Sequence, residues 1–146
     1  MADRLTLACL QCGQKNRTAA DRVEAAKCAT CGAKLVTGKV AEIDSRTLAA
    51  ARGDGLPLLV DFWAPWCGPC RQMAPEFAKA AEALKGRVRF AKIDTERFPQ
   101  VSAQFGIRGI PLLILFQNGK ELDRLPGARP ASGIVDFLRG KIKLAA

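Results

Sequence analysis

The stretch Leu58-Leu59-Val60-Asp61-Phe62-Trp63-Ala64-Pro65-Trp66-Cys67-Gly68-Pro69-Cys70 decides how the chain is read. Its first half is a run of apolar residues broken by one carboxylate. The pattern predicts a buried strand over residues 56–64, with Pro57 at the start, where a missing N–H is tolerated. The second half opens a helix over residues 67–84 that stops at Gly86 and is kinked by the internal Pro75. Two residues between the cysteines bring both sulfurs to the helix N-terminus. Free N–H groups and the positive dipole end there favour a thiolate on Cys67. Cys70 lies one turn inside and is the less exposed. This predicts an ordered exchange. Cys67 attacks a target disulfide, and Cys70 then attacks Cys67 and releases the reduced target. The alternative for a lone Cys-x-x-Cys is a zinc knuckle, but zinc takes four ligands and no His or second pair lies beside this one.

Working outward, residues 39–43 form a short strand, and Asp44 or Ser45 caps a helix that ends before Gly53-Asp54-Gly55. Residues 87–94 alternate Val88 and Phe90 with basic residues and predict a strand with one covered face. Residues 95–105 predict a shorter helix, interrupted by Pro99 and ended by Gly106. Residues 112–116 read as a fully buried strand. Asn118-Gly119 is a tight-turn signal, and residues 121–125 return antiparallel until Pro126-Gly127 breaks the strand. Residues 131–144 form a last helix with Ile134, Phe137, Leu138 and Ile142 on one face. Strands alternating with helices, then a hairpin and a helix, predict an α/β fold with a mixed sheet covered on both sides.

Composition narrows the chemistry. The chain has 146 residues, 49% hydrophobic and 25% charged, so a packed core is expected and bulk disorder is not. It has no His and no Tyr, which excludes His general bases, catalytic triads and every His-containing metal site. The longest apolar run, Ile110 to Phe116, is seven residues, against about 20 for a membrane span. The start of the chain shows no signal-peptide pattern, so a cytoplasmic protein without membrane association is expected. The net charge of +9 is spread along the chain and reads as a solvated basic surface.

All six cysteines belong to Cys-x-x-Cys pairs. Cys9-x2-Cys12, 15 intervening residues and Cys28-x2-Cys31 make a four-cysteine zinc pattern. Gly13 and Gly32 follow each second cysteine and allow the turn. Four thiolates make a closed, structural site, one Zn2+ per chain, because no position is left for water. The segment before residue 40 has no aromatic residue, so zinc is expected to supply its missing folding energy. Residues 1–38 thus read as a zinc-binding module and 39–146 as a second domain. Extra disulfides or redox-active dithiols are the alternatives, as is zinc held when reduced and lost on oxidation. Lys15, Arg17, Arg22 and Lys27 lie in or beside the module. Without aromatic stacking platforms, nucleic-acid binding is not expected.

From Val60 to Cys70 the chain resembles the active-site segment of the thioredoxin family. Phe90-Ala91-Lys92-Ile93-Asp94, Gly106-Ile107-Arg108-Gly109-Ile110-Pro111 and Gln117-Asn118-Gly119 extend that resemblance over residues 39–146. With the two knuckles added, the whole chain resembles the zinc-containing bacterial branch. The resemblance implies the thioredoxin fold, a central mixed five-stranded sheet flanked by helices, with a small N-terminal zinc-ribbon-like module. It implies that Asp61 takes a proton from Cys70 through water, a role suited to a carboxyl whose pKa burial raises. Otherwise Asp61 is a satisfied core carboxylate. Lys92 would neighbour it, or be a strand-face lysine. Pro111 would be a cis-proline beside the cysteines, freeing the Ile110 backbone to pair with substrate. Gly109, Ile110, Gly127 and Trp66 would line the contact area. Trp66 reads alternatively as plain packing, and Trp63 reads as core. Leu112, where the family often carries Thr, and Pro126, where many members carry a β-branched residue, put target preference in question.

The implied activity is protein-disulfide reduction. Electrons would come from an NADPH-dependent thioredoxin reductase and pass to disulfide-containing target proteins. The chain has no Gly-x-Gly-x-x-Gly, and no organic cofactor is expected. The competing class is a redox-gated chaperone or client-binding protein whose zinc module contacts partners. An oxidising folding enzyme is disfavoured by the missing signal pattern.

Overall fold

The computed structural model describes residues 4–142. Five strands form one sheet in the order β3-β5-β4-β6-β7: β3 (Val40–Glu42), β4 (Leu58–Trp63), β5 (Arg89–Asp94), β6 (Leu112–Gln117) and β7 (Lys120–Pro126). β3, β5 and β4 run parallel, and β6 and β7 add antiparallel. The sheet is therefore mixed, as expected, and β4 sits at its centre. Asn118 (φ 54°) and Gly119 (φ 83°) both take the left-handed region that a two-residue hairpin turn requires.

Alternation along β4 sorts the core. Leu58, Val60 and Phe62 join Leu48, Ala51, Ile93, Val101, Phe105, Ile114 and Phe116 on one face. Leu59 joins Met73, Phe77, Leu84, Phe90, Leu113, Leu115, Ile134 and Leu138 on the other. The first face is closed by α1 (Ser45–Ala51) and α3 (Gln100–Gln104), the second by α2 (Gly68–Ala83) and α4 (Ala131–Arg139). By the period of two, Asp61 shares the face of Leu59, against which α2 packs.

Several expected elements need correction. The helix placed over residues 95–105 is only α3, because Pro99 supplies no N–H and Asp94 turns the preceding segment by accepting from Glu96 N and Arg97 N. α4 ends at Arg139 with Gly140 as its cap, and the last two residues assigned to that helix lie outside the described residues. α2 runs from its cap Cys67 through Pro75 to Ala83, close to the expected span. β5 is covered on both faces rather than one, since Arg89 is buried (4% exposed).

The N-terminal segment has structure that its sequence did not suggest. β1 (Arg4–Ala8) pairs antiparallel with β2 (Lys15–Ala19), and a lone bridge joins Lys27 to Lys34. Leu7, Val23, Leu35 and Val36 bury against Cys9 and Cys28 in a small core of their own. The segment also shares the main core, because Ala8 is wholly buried within it and Leu10 packs on it.

Candidate active site and metal centre

β4 ends at Trp63, and the chain turns into α2 through Ala64-Pro65-Trp66. Cys67 N donates to Ala64 O at 3.1 Å, closing that turn. Cys67 is the N-cap of α2, and its Sγ accepts from Cys70 N at 3.2 Å. This is one of the free N–H groups of a helix start, aimed at sulfur. Cys67 and Cys70 are joined as a disulfide with Cα atoms 5.3 Å apart. Both are buried, with Cys67 the more exposed at 5% against 2%. They cluster with Ala64, Trp63 and Ile110, and Cys67 Sγ lies 3.8 Å from Ile110 O.

The Ile110–Pro111 bond is cis. Gly109, Ile110, Pro111 and Gly127 line one open groove, whose charged walls are Arg108 and Arg124. Gly127 N donates to Pro111 O at 3.0 Å. Gly127 has φ +86°, and a Cβ there would meet nothing within 4 Å, so its bare backbone forms part of the groove surface. Leu112 and Pro126 line the same groove and pair across β6 and β7. Trp66 stands beside Cys67 and is 67% exposed. Such exposure for a large apolar ring does not fit plain packing.

Asp61 is buried, and its Oδ1 has no hydrogen-bond partner among the described residues. Burial pushes its carboxyl up to about 7, with the Lys92 charge pulling against that rise. Lys92 is the in-register neighbour of Asp61 across β4 and β5, and its Nζ lies 4.5 Å from the centre of the Trp63 ring. Trp63 is half-buried rather than fully in the core.

Cys9, Cys12, Cys28 and Cys31 bring four Sγ atoms within 4.8 Å of one another. Cys9–Cys31 and Cys12–Cys28 are each 3.6 Å apart. A tetrahedron with ~2.3 Å metal–sulfur arms has edges of about 3.8 Å, so the donor set fits a tetrahedral thiolate metal. The two knuckles are alike: Gly13 N donates to Cys9 O and Gly32 N to Cys28 O, both glycines at positive φ. N–H groups of Cys31 and Thr30 draw the Cys28 thiol down to about 6. Burial pushes Cys9 up. Cys12 stands at about 12, the Gln14 N–H pulling it down against burial and the neighbouring thiols. Burial and the neighbouring thiols thus oppose charge on Cys9 and Cys12, a cost that a cation among the sulfurs would offset.

One buried pair went unread in the sequence. In the sequence Asp54 belongs to a Gly-Asp-Gly helix stop and Arg89 to the basic residues of a strand with one covered face. They form an ion pair with both side chains at most 3% exposed. Arg89 opens β5, whereas Asp54 lies in the turn that follows α1.

A five-stranded mixed sheet with a Cys-x-x-Cys disulfide capping α2 beside a cis-proline defines a thioredoxin-fold dithiol–disulfide oxidoreductase. The comparisons agree. The family profile described as thioredoxin matches residues 39–140, and one described as "Thioredoxin 2, N-terminal" matches residues 8–33. The chain belongs to the thioredoxin family and is a protein-disulfide reductase of that type. Thioredoxin C-3 of Corynebacterium nephridii is 38% identical over 126 residues, covering 85% of this chain and 86% of its own length. Thioredoxin 1 of a Nostoc species is 48% identical over 83 residues, 57% of this chain and 78% of its own. A solved mutant thioredoxin from Halobacterium salinarum superposes with a TM-score of 0.67 at 26% identity, covering 75% of this chain and 96% of that one. Among the described residues no helix is long and apolar enough to cross a membrane.

Proposed function

We propose that residues 39–146 reduce protein disulfides through Cys67-Gly68-Pro69-Cys70, and that residues 1–38 form a module built on one structural Zn2+. The observation that carries the reading is the Cys67–Cys70 disulfide at the cap of α2, with Cys70 N–H on Cys67 Sγ. In the reduced protein that N–H and the helix dipole stabilise a Cys67 thiolate. The thiolate attacks one sulfur of a target disulfide. The Cys67–target bond forms, the target S–S bond breaks, and the departing target sulfur takes up a proton. Cys70 then loses its proton to Asp61, by way of water, and attacks Cys67 Sγ. The Cys67–Cys70 bond forms and the second target sulfur leaves, so two electrons have passed to the target. Asp61 suits this step because it is buried on the face against which α2 packs and its carboxyl titrates near neutral pH. Lys92 sets the charge beside it.

The groove of Gly109, Ile110, Pro111 and Gly127, with the exposed Trp66, receives the target segment. An NADPH-dependent thioredoxin reductase returns the disulfide to the dithiol in the cytoplasm. Cys9, Cys12, Cys28 and Cys31 hold the zinc, which when bound cross-links the two knuckles; its loss on oxidation would make the module a redox sensor.

The test is a pair of variants assayed on insulin with NADPH and a thioredoxin reductase. Cys70→Ser is expected to accumulate a mixed disulfide between Cys67 and the target, whereas Cys67→Ser is expected to form none. Equal trapping by both variants refutes the order of attack.

A further inference from the structure

Ala8, the residue immediately before Cys9, is wholly buried, and the thioredoxin body holds both of its backbone polar groups. Ala8 N donates to Asp54 Oδ1 and Oδ2, each at 3.1 Å. Arg89 Nη1 donates to Ala8 O at 2.8 Å and to Leu35 O at 3.2 Å. Arg89 Nη2 donates to Asp54 Oδ2 and closes the ring. Leu35 follows the second knuckle, so one guanidinium joins the entry to the first knuckle and the exit from the second. Neither Asp54 nor Arg89 belongs to the four-sulfur cluster or to the Cys67–Cys70 site. Asp54 is anchored in turn, since Asn118 N donates to its carbonyl at 2.9 Å, and Arg89 N donates to Pro57 O at 2.9 Å. The clasp is thus part of the sheet framework and cannot follow the ribbon if the ribbon moves.

We propose that Asp54 and Arg89 are positioning residues of the metal centre: by clasping Ala8 and Leu35 they fix the paths into Cys9 and out of the second knuckle, and so couple metal retention to docking of the ribbon on the thioredoxin body. The proposal rests on the four-cysteine zinc reading above. The physical reason is that metal affinity depends on how far the ligands are held in place before the metal arrives. Groups just outside the ligand set supply that constraint. A buried charge pair costs desolvation, and replacing it with apolar residues often leaves stability unchanged. Stability alone therefore does not account for it. Coupling is reciprocal: if the clasp favours metal binding, the bound metal favours the clasp by the same factor.

The test uses the full chain loaded with one equivalent of Zn2+ and measures transfer of zinc to a chromogenic chelator. Asp54→Asn and Arg89→Lys are expected to release zinc about 10- to 100-fold faster than the parent. The double change Asp54→Leu with Arg89→Met, which removes the charges and keeps bulk, is expected to do the same. Zinc release within twofold of the parent, even with a lowered melting temperature, overturns the proposal and leaves the pair a plain structural bridge. The unsubstituted chain gives a second readout that needs no variant. Zinc removal is expected to speed hydrogen exchange at the Ala8 amide at least tenfold. Unchanged Ala8 protection overturns the coupling. A parent chain that binds no zinc at its four cysteines defeats the zinc reading itself, an outcome distinct from either of these.

Discussion

Asn at position 61 isolates the electrostatic cost of the buried carboxylate. Asp61→Asn keeps the shape of a neutral carboxyl and removes the titration. The carboxyl stands near 7 in the folded chain against 3.8 ordinarily, chiefly because burial disfavours its charge. Between those two values the folded state holds the proton more tightly than the unfolded state. Stability therefore falls as pH rises, by about 1.4 kcal/mol per pH unit, and levels off above pH 7. The variant has no such fall. Its advantage over the parent is expected to be about 2 kcal/mol at pH 5.5 and roughly 4 kcal/mol at pH 8.5. Other carboxylates titrate alike in both chains and cancel in the difference. The assay is urea unfolding of both proteins in the disulfide form, with zinc present, at half-unit steps over that range. An advantage that stays flat from pH 5.5 to 8.5 refutes the argument, because Asp61 would then not ionise in that window. The same variant is expected to slow release of the mixed disulfide, since Cys70 loses its proton acceptor.

Freshly reduced protein is expected to carry one zinc and to show two rapidly reacting thiols; six reactive thiols and no zinc, by metal analysis and a thiol reagent, would undo the four-plus-two division of the cysteines. Leu7→Ala, at a fully buried side chain of the ribbon core, is expected to cost about 2–5 kcal/mol by denaturant unfolding. Asp44→Ala removes the N-cap of α1, where Asp44 Oδ1 accepts from Thr47 N at 2.7 Å, and is expected to cost about 1 kcal/mol at pH 7. The Thr47 N–H holds the Asp44 carboxyl below its usual value, so that cost is expected to shrink as pH falls below 3.8 and to vanish under stronger acid.

The thioredoxin body was legible because its signals are local. Leu58 to Phe62, the glycine-proline between two cysteines, and Asn118-Gly119 each dictate a conformation within a few residues of themselves. Misreadings arose where two local signals conflicted, as in the segment around Pro99, which carries helix-forming residues and a proline that denies the helix its first turn. The ribbon was legible only through its cysteines. β2, Lys-Asn-Arg-Thr-Ala, has no apolar alternation, and its pairing is set by β1 and the knuckles on either side. Arg89 was not legible at all, because its burial depends on Ala8 and Leu35, 81 and 54 residues away.

The two sulfur sites differ less in their parts than in what surrounds them. Both use backbone N–H groups against sulfur: Cys70 N on Cys67 at 3.2 Å, and Thr30 N on Cys28 at 3.4 Å. At the start of α2 there are two cysteine sulfurs. A helix start favours charge on one of them, and an open groove with Ile110 O stands beside it. A third sulfur from a target can therefore enter and leave. In the ribbon four sulfurs lie within 4.8 Å of one another, and a tetrahedral metal bound to all four would have no position left for a further ligand. Room for an exchanging sulfur at one site and a full set of four ligands at the other follow from that count. Cysteine spacing alone does not separate them, since Cys-x-x-Cys serves both.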